Sequence, residues 1–279
     1  MNSRSLAARG VSSAGALGLI SRMTAGDCLG RGSVLLAGGI TLALMAAIPW
    51  LAVFALGDEI DLMEEMCLAN LAVAGALVGV LCSQPAARAH AAHAAHAADT
   101  LLHVAPLPSV VISFGRWIGI AAVITVYSVI WMLVFCASMW LFADILETRF
   151  TLSRETDAWR EMGHLLPLAT LGTTLSILLS AVALASTQWR RGTNGGGIGH
   201  AAVAVVALAM GSFAVHAYAS GQDTGRVLQA LCVLVPDTRL YWPDAMLYGD
   251  VDWHWVAGGV LQAFAYGAAM LLLFRTRPR

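Results

Sequence analysis

The chain has 279 residues, of which 58% are hydrophobic and only 12% are charged, and its formal net charge is −1. Soluble domains are about 45–50% apolar and about 25% charged, so this composition excludes a soluble enzyme, a disordered scaffold and a nucleic-acid-binding protein. The apolar residues form long blocks, and a lipid bilayer selects blocks of about 20 residues. We therefore predict an all-α, polytopic membrane protein.

Residues 1–33 precede the first long apolar block and form a predicted N-terminal tail. They are rich in Ser, Gly and Ala and lack the compact apolar core of a cleavable signal peptide. Residues 17–29 are weakly amphipathic, with Arg22 and Asp27 among apolar side chains. Two interpretations stay open for this stretch: a helix lying flat at the inner membrane interface, or a disordered tail.

Residues 34–279 form the second predicted region, a bundle of six transmembrane helices. Each predicted span is about 18–26 residues long, which fits a hydrocarbon layer about 30 Å thick at about 1.5 Å per residue. Continuous apolar runs, without the alternation of barrel strands, indicate helices. The predicted spans are residues 34–56, 66–83, 117–142, 165–187, 199–219 and 255–274.

The arginines predict the orientation of this bundle. Eleven of the 16 lie in the two terminal segments and in the loops on the same side as the termini. Arginine-rich loops stay in the cytoplasm, so both termini are predicted to be cytoplasmic. Fifteen of the 17 acidic residues lie on the opposite side, five of them in residues 57–65, where we expect a solvated acidic rim.

The basic residues are all arginine, and the chain contains no lysine. A Walker A loop needs a lysine for its phosphates, so we expect no ATP hydrolysis by such a loop in this chain. A lysine Schiff base is excluded as well. We therefore predict a protein that is not an enzyme and holds no cofactor. An arginine-only, alanine-rich chain is typical of a bacterium with a GC-rich genome, which predicts an inner-membrane location.

The five cysteines show neither CxxC pairing nor the spacing of a metal site, so we expect small core residues. A pairing of Cys67 with Cys232 is the alternative. Several glycines in the spans permit close helix contacts, and Asn70 and Gln262 are expected to hydrogen-bond between helices. The cysteines are Cys28, Cys67, Cys82, Cys136 and Cys232, and the glycines are Gly38, Gly39, Gly75, Gly79, Gly258, Gly259 and Gly267.

The segment between the second and third spans has two parts. In the first, His90, His93 and His96 recur within an alanine-rich run, which favours a solvated helix, with metal or pH sensing as the alternative. The second part, residues 101–116, is named the inner segment here. Its prolines interrupt a helix, Ser109 can cap a new turn, and its apolar side chains indicate either a docking element for a cytoplasmic partner or a helix resting on lipid.

Residues 101–119, LLHVAPLPSVVISFGRWIG, resemble the segment that leads into the third span in permease subunits of type 2 ATP-binding-cassette (ABC-2) transporters. A second similar stretch precedes the last span, and the aromatic and basic residues at the end of the chain are a third. The matching residues are Leu101, Leu102, Pro106, Pro108, Ser109, Gly115 and Arg116, then Pro236, Asp237, Tyr241, Asp244, Gly249 and Trp253, then Tyr266, Phe274, Arg275 and Arg277.

The resemblance covers roughly residues 30–279 and implies an exporter subunit. Such a permease pairs with a second permease copy, identical or different, and is driven by two cytoplasmic ATP-binding-cassette ATPase subunits. The inner segment would contact the ATPase, and a segment after the fifth span would re-enter the membrane from outside. The implied ATPase contacts are Leu101, Leu102, Pro106, Leu107, Pro108, Val110, Val111, Phe114 and Arg116; the re-entrant residues are Leu228, Leu231, Leu234 and Pro236.

Other functions stay open. Residues 105–112 and 172–192 are also similar to the haem-exporter permease branch of cytochrome c maturation. A haem-binding membrane protein would need histidines facing each other inside the bundle, whereas His200 and His216 fall at opposite ends of one span. A non-transporting membrane scaffold is a further alternative. The sequence does not predict the transported substrate.

Overall fold

Seven helices make up the computed structural model, which describes residues 13–52, 59–88, 109–150, 155–189, 197–220, 235–236, 241 and 253–273. Within these ranges there is no strand. The helices are α1 (Ser13–Leu29), α2 (Gly32–Ala52), α3 (Glu59–Arg88), α4 (Ser109–Phe150), α5 (Glu155–Trp189), α6 (Gly197–Ser220) and α7 (Trp253–Leu273).

Six of these helices, α2 to α7, contain a segment long and apolar enough to cross a membrane. The predicted all-α fold with six spans is therefore confirmed, and the chain is a multi-pass membrane protein. The spans are Gly32–Leu51, Leu62–Gln84, Val110–Phe142, Leu165–Thr187, Ile198–His216 and Trp253–Leu273.

Several helices extend beyond their predicted spans; α5, for example, begins at Glu155, ten residues before its predicted span. The third span was expected to begin at Trp117, but α4 begins at Ser109 and runs without interruption for 42 residues, about 63 Å at 1.5 Å per residue. Part of the inner segment therefore belongs to the spanning helix itself. Likewise, α3 continues through Pro85 to Arg88 instead of ending at Ser83.

Helix α5 is the centre of the bundle, since 89% of its span is buried. It packs against α3 through pairs of small residues: Gly75 and Gly79 of α3 lie directly on Ser176 and Ser180 of α5. The Ser176 hydroxyl is hydrogen-bonded to the carbonyl of Ala72 on α3 at 3.2 Å. Small residues four apart let two backbones approach closely, and the hydroxyl adds a bond across the interface.

Two side chains of α4 form hydrogen bonds to α2. The Trp131 indole donates to the carbonyl of Gly38 on α2 at 3.1 Å, and the Ser138 hydroxyl donates to the carbonyl of Ala46 at 2.9 Å. Helical carbonyls can accept these second bonds because each oxygen has two lone pairs. The α2–α4 interface is therefore held by polar bonds as well as packing.

Helices α6 and α7 lie at the periphery, and only 18% and 28% of their spans are buried. On α7 one narrow stripe faces the bundle, and the opposite face leaves Leu261 exposed. Exposed apolar side chains of a spanning helix are suited to lipid, which predicts a lipid-facing surface here. The buried stripe consists of Val256, Gly259, Ala263, Gly267 and Leu271.

Three of the cysteines, Cys28, Cys67 and Cys82, are buried free thiols, and Cys136 is partly buried and free. This confirms the prediction of core cysteines for the three buried positions. Since Cys67 is a free thiol on the membrane-spanning part of α3, the alternative pairing with Cys232 is wrong for this structure. Cys232 itself lies outside the described residues.

Candidate coupling site at the start of the third span

Helix α1 lies along the first turns of α4. It buries every fourth residue, Ala16, Ile20, Thr24 and Cys28, and this spacing keeps the buried side chains on one face. The Thr24 hydroxyl donates to the carbonyl of Ile20 at 2.9 Å, so a polar residue is accommodated on that face. Residues 13–29 are therefore helical, and the disordered-tail interpretation is wrong for this stretch.

Helix α4 meets α1 through two glycines one turn apart, Gly115 and Gly119. A Cβ placed on Gly115 would come within 2.9 Å of the Cβ of Ile20. A Cβ placed on Gly119 would come within 2.5 Å of the Ser21 carbonyl oxygen and 2.9 Å of the Thr24 Cβ. Any larger residue would push the helices apart, so the glycines set the distance between α1 and α4.

Trp117, between the two glycines, attaches the same turn of α4 to two further helices. Its indole nitrogen donates to the carbonyl of Ile177 on α5 at 3.1 Å. Its ring lies against Gly267 of α7, where an added Cβ would come within 2.6 Å of it, and 5.5 Å from the ring of Phe264. The start of α4 is thus held by α1, α5 and α7 together.

The structure places four of the predicted partner-contact residues in the first two turns of α4. Val110 and Val111 are partly exposed. Phe114 packs towards the core with its ring 6.1 Å from that of Trp117, and Arg116 is only 5% exposed. Of these four, Val110, Val111 and Phe114 keep partly exposed apolar surface, and Arg116 is buried. Leu101, Leu102, Pro106, Leu107 and Pro108 lie outside the described residues.

Sequence reasoning missed the contact between α1 and α4. The signal was present in GRWIG, residues 115–119, which has the small-xxx-small spacing of closely packed membrane helices. Gly115 matched a family pattern, but that match does not reveal what the glycine touches. The partner helix was also hard to identify, because α1 combines Arg22 and Asp27 with its apolar residues.

At the opposite end of the bundle, two residues of the connection between α6 and α7 pack against helices. The Pro236 carbonyl accepts a hydrogen bond from the hydroxyl of Ser212, which lies within the span of α6. The Tyr241 hydroxyl donates to the carbonyl of Gly259 at 2.8 Å, within the span of α7. The connection therefore returns to the level of the spans at Pro236 and Tyr241. Leu228, Leu231 and Leu234 lie outside the described residues.

The polar residues of the spans are arranged differently from expectation. The Gln262 side-chain oxygen lies 3.4 Å from the Tyr241 hydroxyl, so the partner that the structure describes for it belongs to the α6–α7 connection. The amide nitrogen of Asn70 has no hydrogen-bond partner among the described residues. His200 and His216 are 16 residues apart on α6, about 24 Å along the axis, so they cannot ligate one haem together.

The sequence matches no model of a known protein family, and it matches no curated protein. Functional inference therefore rests on the residues and geometry of this chain.

Proposed function

We propose that this protein is the membrane-spanning permease subunit of an ABC-2 type exporter of the bacterial inner membrane. In this proposal a separate cytoplasmic subunit hydrolyses ATP. The movement of that subunit is transmitted to the permease and rearranges its helices. The observation that carries the proposal is the start of α4, which contacts three other helices while Val110 and Val111 stay partly exposed. The resemblance of residues 101–119 to the family's segment supports the same interpretation.

The packing around Trp117 supplies the mechanical part of this mechanism. A load applied to the first turns of α4 passes to α5 and α7 through Trp117, and to α1 through Gly115 and Gly119. Closely packed helices move as rigid bodies between discrete arrangements and do not deform continuously. An ATPase that contacts the two arrangements differently would therefore shift the balance between them.

The charges of the chain fit an externally driven transporter. The carboxylates within the spans are Glu64 and Glu65, both at one end of α3, and the arginine there is Arg116 at the start of α4. A proton-driven pump needs ionisable groups along a path through the membrane. The described spans carry no such series, so the energy would come from the ATPase partner.

In this proposal the transported substrate leaves at the outer end of the bundle, where Pro236 and Tyr241 lie. A backbone that re-enters a membrane must be buried against protein, because unsatisfied peptide groups are costly in lipid. Pro236 and Tyr241 meet this requirement through Ser212 and Gly259. In this proposal Leu228, Leu231 and Leu234 complete the re-entrant segment, and a second permease copy, identical or different, completes the pathway.

Val111→Asp tests the proposed ATPase contact. Position 111 is partly exposed in the first turn of α4, where a carboxylate is compatible with the helix dipole, so the fold should persist. The tagged full-length protein is purified from its native membranes, and co-purified ATP-binding-cassette ATPase is quantified by mass spectrometry and ATP hydrolysis. We expect Val111→Asp to reduce the ATPase at least about tenfold, as loss of an interface hot spot does.

Ile198→Asp is the matched control, because it introduces the same charge into the first turn of α6 at an exposed apolar position. This variant should retain the ATPase. Equal retention by both variants would show that the start of α4 is not the docking surface. A wild-type protein that yields no ATPase would contradict the transporter proposal itself.

A further inference from the structure

Cys28 and Cys82 bring two thiols together at the junction of α1 and α3. Both residues are 0% exposed, and both are free thiols. The Cys28 sulfur lies 3.9 Å from the carbonyl oxygen of Cys82, and the two side chains also hydrogen-bond to each other. Cys28 is in the last turn of α1, and Cys82 is near the end of α3.

The surroundings of Cys28 lower its pKa, which raises the fraction of the reactive thiolate. The hydrogen bond from the Cys82 thiol is the main cause; burial opposes it, the nearby charge of Arg31 lowers the pKa further, and the charge of Asp27 raises it. The thiolate is the nucleophile in thiol oxidation and disulfide exchange. One sulfur of the pair is therefore activated, and the second is already in contact with it.

We propose that Cys28 and Cys82 form a redox-sensitive pair whose disulfide joins α1 covalently to α3. With hydrogen peroxide as the oxidant, the Cys28 thiolate attacks one peroxide oxygen and becomes a sulfenic acid, and the released hydroxide takes a proton to form water. The Cys82 sulfur then attacks the sulfenic sulfur, which releases a second water and forms the S–S bond. The two thiols have then lost two electrons and two protons, and a dithiol reductant reverses the reaction.

Access to the buried pair depends on local opening. Cys28 is followed by the exposed residues Leu29 and Gly30, where α1 ends. The ends of helices open more readily than their centres, and a small peroxide can then reach the thiolate. Oxidation is therefore expected to be slow in the resting protein and selective for the pair with the activated sulfur.

The disulfide would restrain the candidate coupling site. Helix α1 already rests on Gly115 and Gly119 of α4, and a bond to Cys82 would fix it to α3 as well. In a transporter, α3 and the start of α4 could then no longer move independently. This consequence rests on the proposed function, whereas formation of the disulfide does not.

Cys67 and Cys136 provide the internal control. They lie on α3 and α4 within the spans, and the Cys67 sulfur is 3.8 Å from the sulfur of Met132. These two thiols are also free, with Cys67 buried and Cys136 partly buried, but the one arginine of the described spans is Arg116, 20 residues before Cys136 on α4. A selective oxidant should distinguish them from Cys28 and Cys82.

The test treats the full-length protein in native membranes with hydrogen peroxide, blocks the remaining thiols and identifies linked peptides by mass spectrometry without reduction. We expect most of Cys28 to be recovered linked to Cys82, and dithiothreitol to reverse the link. In Cys82→Ser the linked form of Cys28 should fall at least about tenfold, and in Cys67→Ser it should persist.

Failure to find the Cys28–Cys82 peptide in the wild-type protein would overturn the proposal, and this measurement does not depend on the folding of any variant. The proposal would also be overturned if Cys28 in the Cys82→Ser variant formed disulfides with other cysteines to the same extent as it does with Cys82 in the wild-type protein. Both outcomes can be distinguished from failure of the transporter proposal, because disulfide formation needs neither the ATPase nor a substrate.

Discussion

Gly38 and Gly39 are neighbours in sequence, yet their surroundings differ completely. Gly38 lies against the ring of Tyr127, whereas no described atom outside its own chain segment lies within 4 Å of a Cβ placed on Gly39. The same contrast separates Gly259, which touches Leu171, from Gly258, which is open. Sequence alone predicted that glycines would permit close contacts, but it could not say which of two adjacent glycines faces a partner.

Gly79→Ala tests the close contact between α3 and α5. The new Cβ would lie 2.8 Å from the Cβ of Ser180 and 3.3 Å from its Cα, so the backbone of α5 must move. Overpacking of this kind costs about 1–3 kcal/mol, which should appear as a lower melting temperature of the protein in detergent.

Gly39→Ala is its control on α2. It adds the same methyl group at a position where no described atom lies within 4 Å of the new Cβ. Alanine also stabilises a helix relative to glycine by roughly 0.5–1 kcal/mol. The melting temperature should stay constant or rise slightly. Equal losses in the two variants would mean that the α3–α5 contact is looser than the structure indicates.

At the scale of elements, the contact between α1 and α4 depends on two glycines and a stripe of four buried residues. The stripe on α1 repeats every fourth residue, and its partner Gly115-xxx-Gly119 repeats with the same spacing. Matching periods let the two helices stay in contact over several turns. Helix α1 is therefore part of the folded bundle, although it is not among the helices long and apolar enough to cross a membrane.

Gly119→Ala should loosen α1. The added methyl would meet the Ser21 carbonyl oxygen at 2.5 Å and the Ala25 amide nitrogen at 3.3 Å, both backbone atoms that cannot turn away. Trypsin cleavage after the exposed Arg22 reports local opening of α1. We expect this cleavage to accelerate at least about tenfold, which corresponds to about 1.4 kcal/mol of lost docking energy.

Gly26→Ala serves as the comparison for this experiment, because it lies on α1 itself with no described contact near its Cβ position. Its cleavage rate should equal that of the wild-type protein or fall below it, since alanine strengthens the helix. If Gly119→Ala is cleaved no faster than Gly26→Ala, α1 is not held by the packing described here.

The helices themselves were largely predictable from sequence, and their ends and contacts were not. Long apolar runs identify a span because no other element needs them. A new turn at Ser109 was expected, and α4 begins there. Its continuity with the span was missed, because Pro106, Pro108 and Ser109 indicate a break without showing whether the following turns join the span. Among the candidate site residues, Phe114 and Arg116 share an apolar segment with Val111 in sequence, but only the fold shows that both turn inwards.

For the whole molecule, the distribution of arginine predicts that both termini and the segment between α3 and α4 face the cytoplasm. Single cysteines introduced into a cysteine-free protein by His96→Cys and Asp58→Cys place one thiol on each predicted side. A membrane-impermeant thiol reagent applied to intact cells should label position 58 and leave position 96 unmodified until the membrane is opened. Labelling of position 96 in intact cells would reverse the orientation and remove the basis for a cytoplasmic partner at α4.

The deep burial of α5 has a consequence for how the protein responds to its bilayer. Because 89% of its span is buried inside the protein, α5 can accommodate the polar side chains of Thr174, Ser176 and Ser180 away from lipid. The outer helices α6 and α7 leave most of their spans exposed, and such apolar surface is suited to acyl chains. A thicker or thinner membrane is therefore expected to change the tilt of α6 and α7 first. The tilt of the buried helix α5 should stay nearly constant.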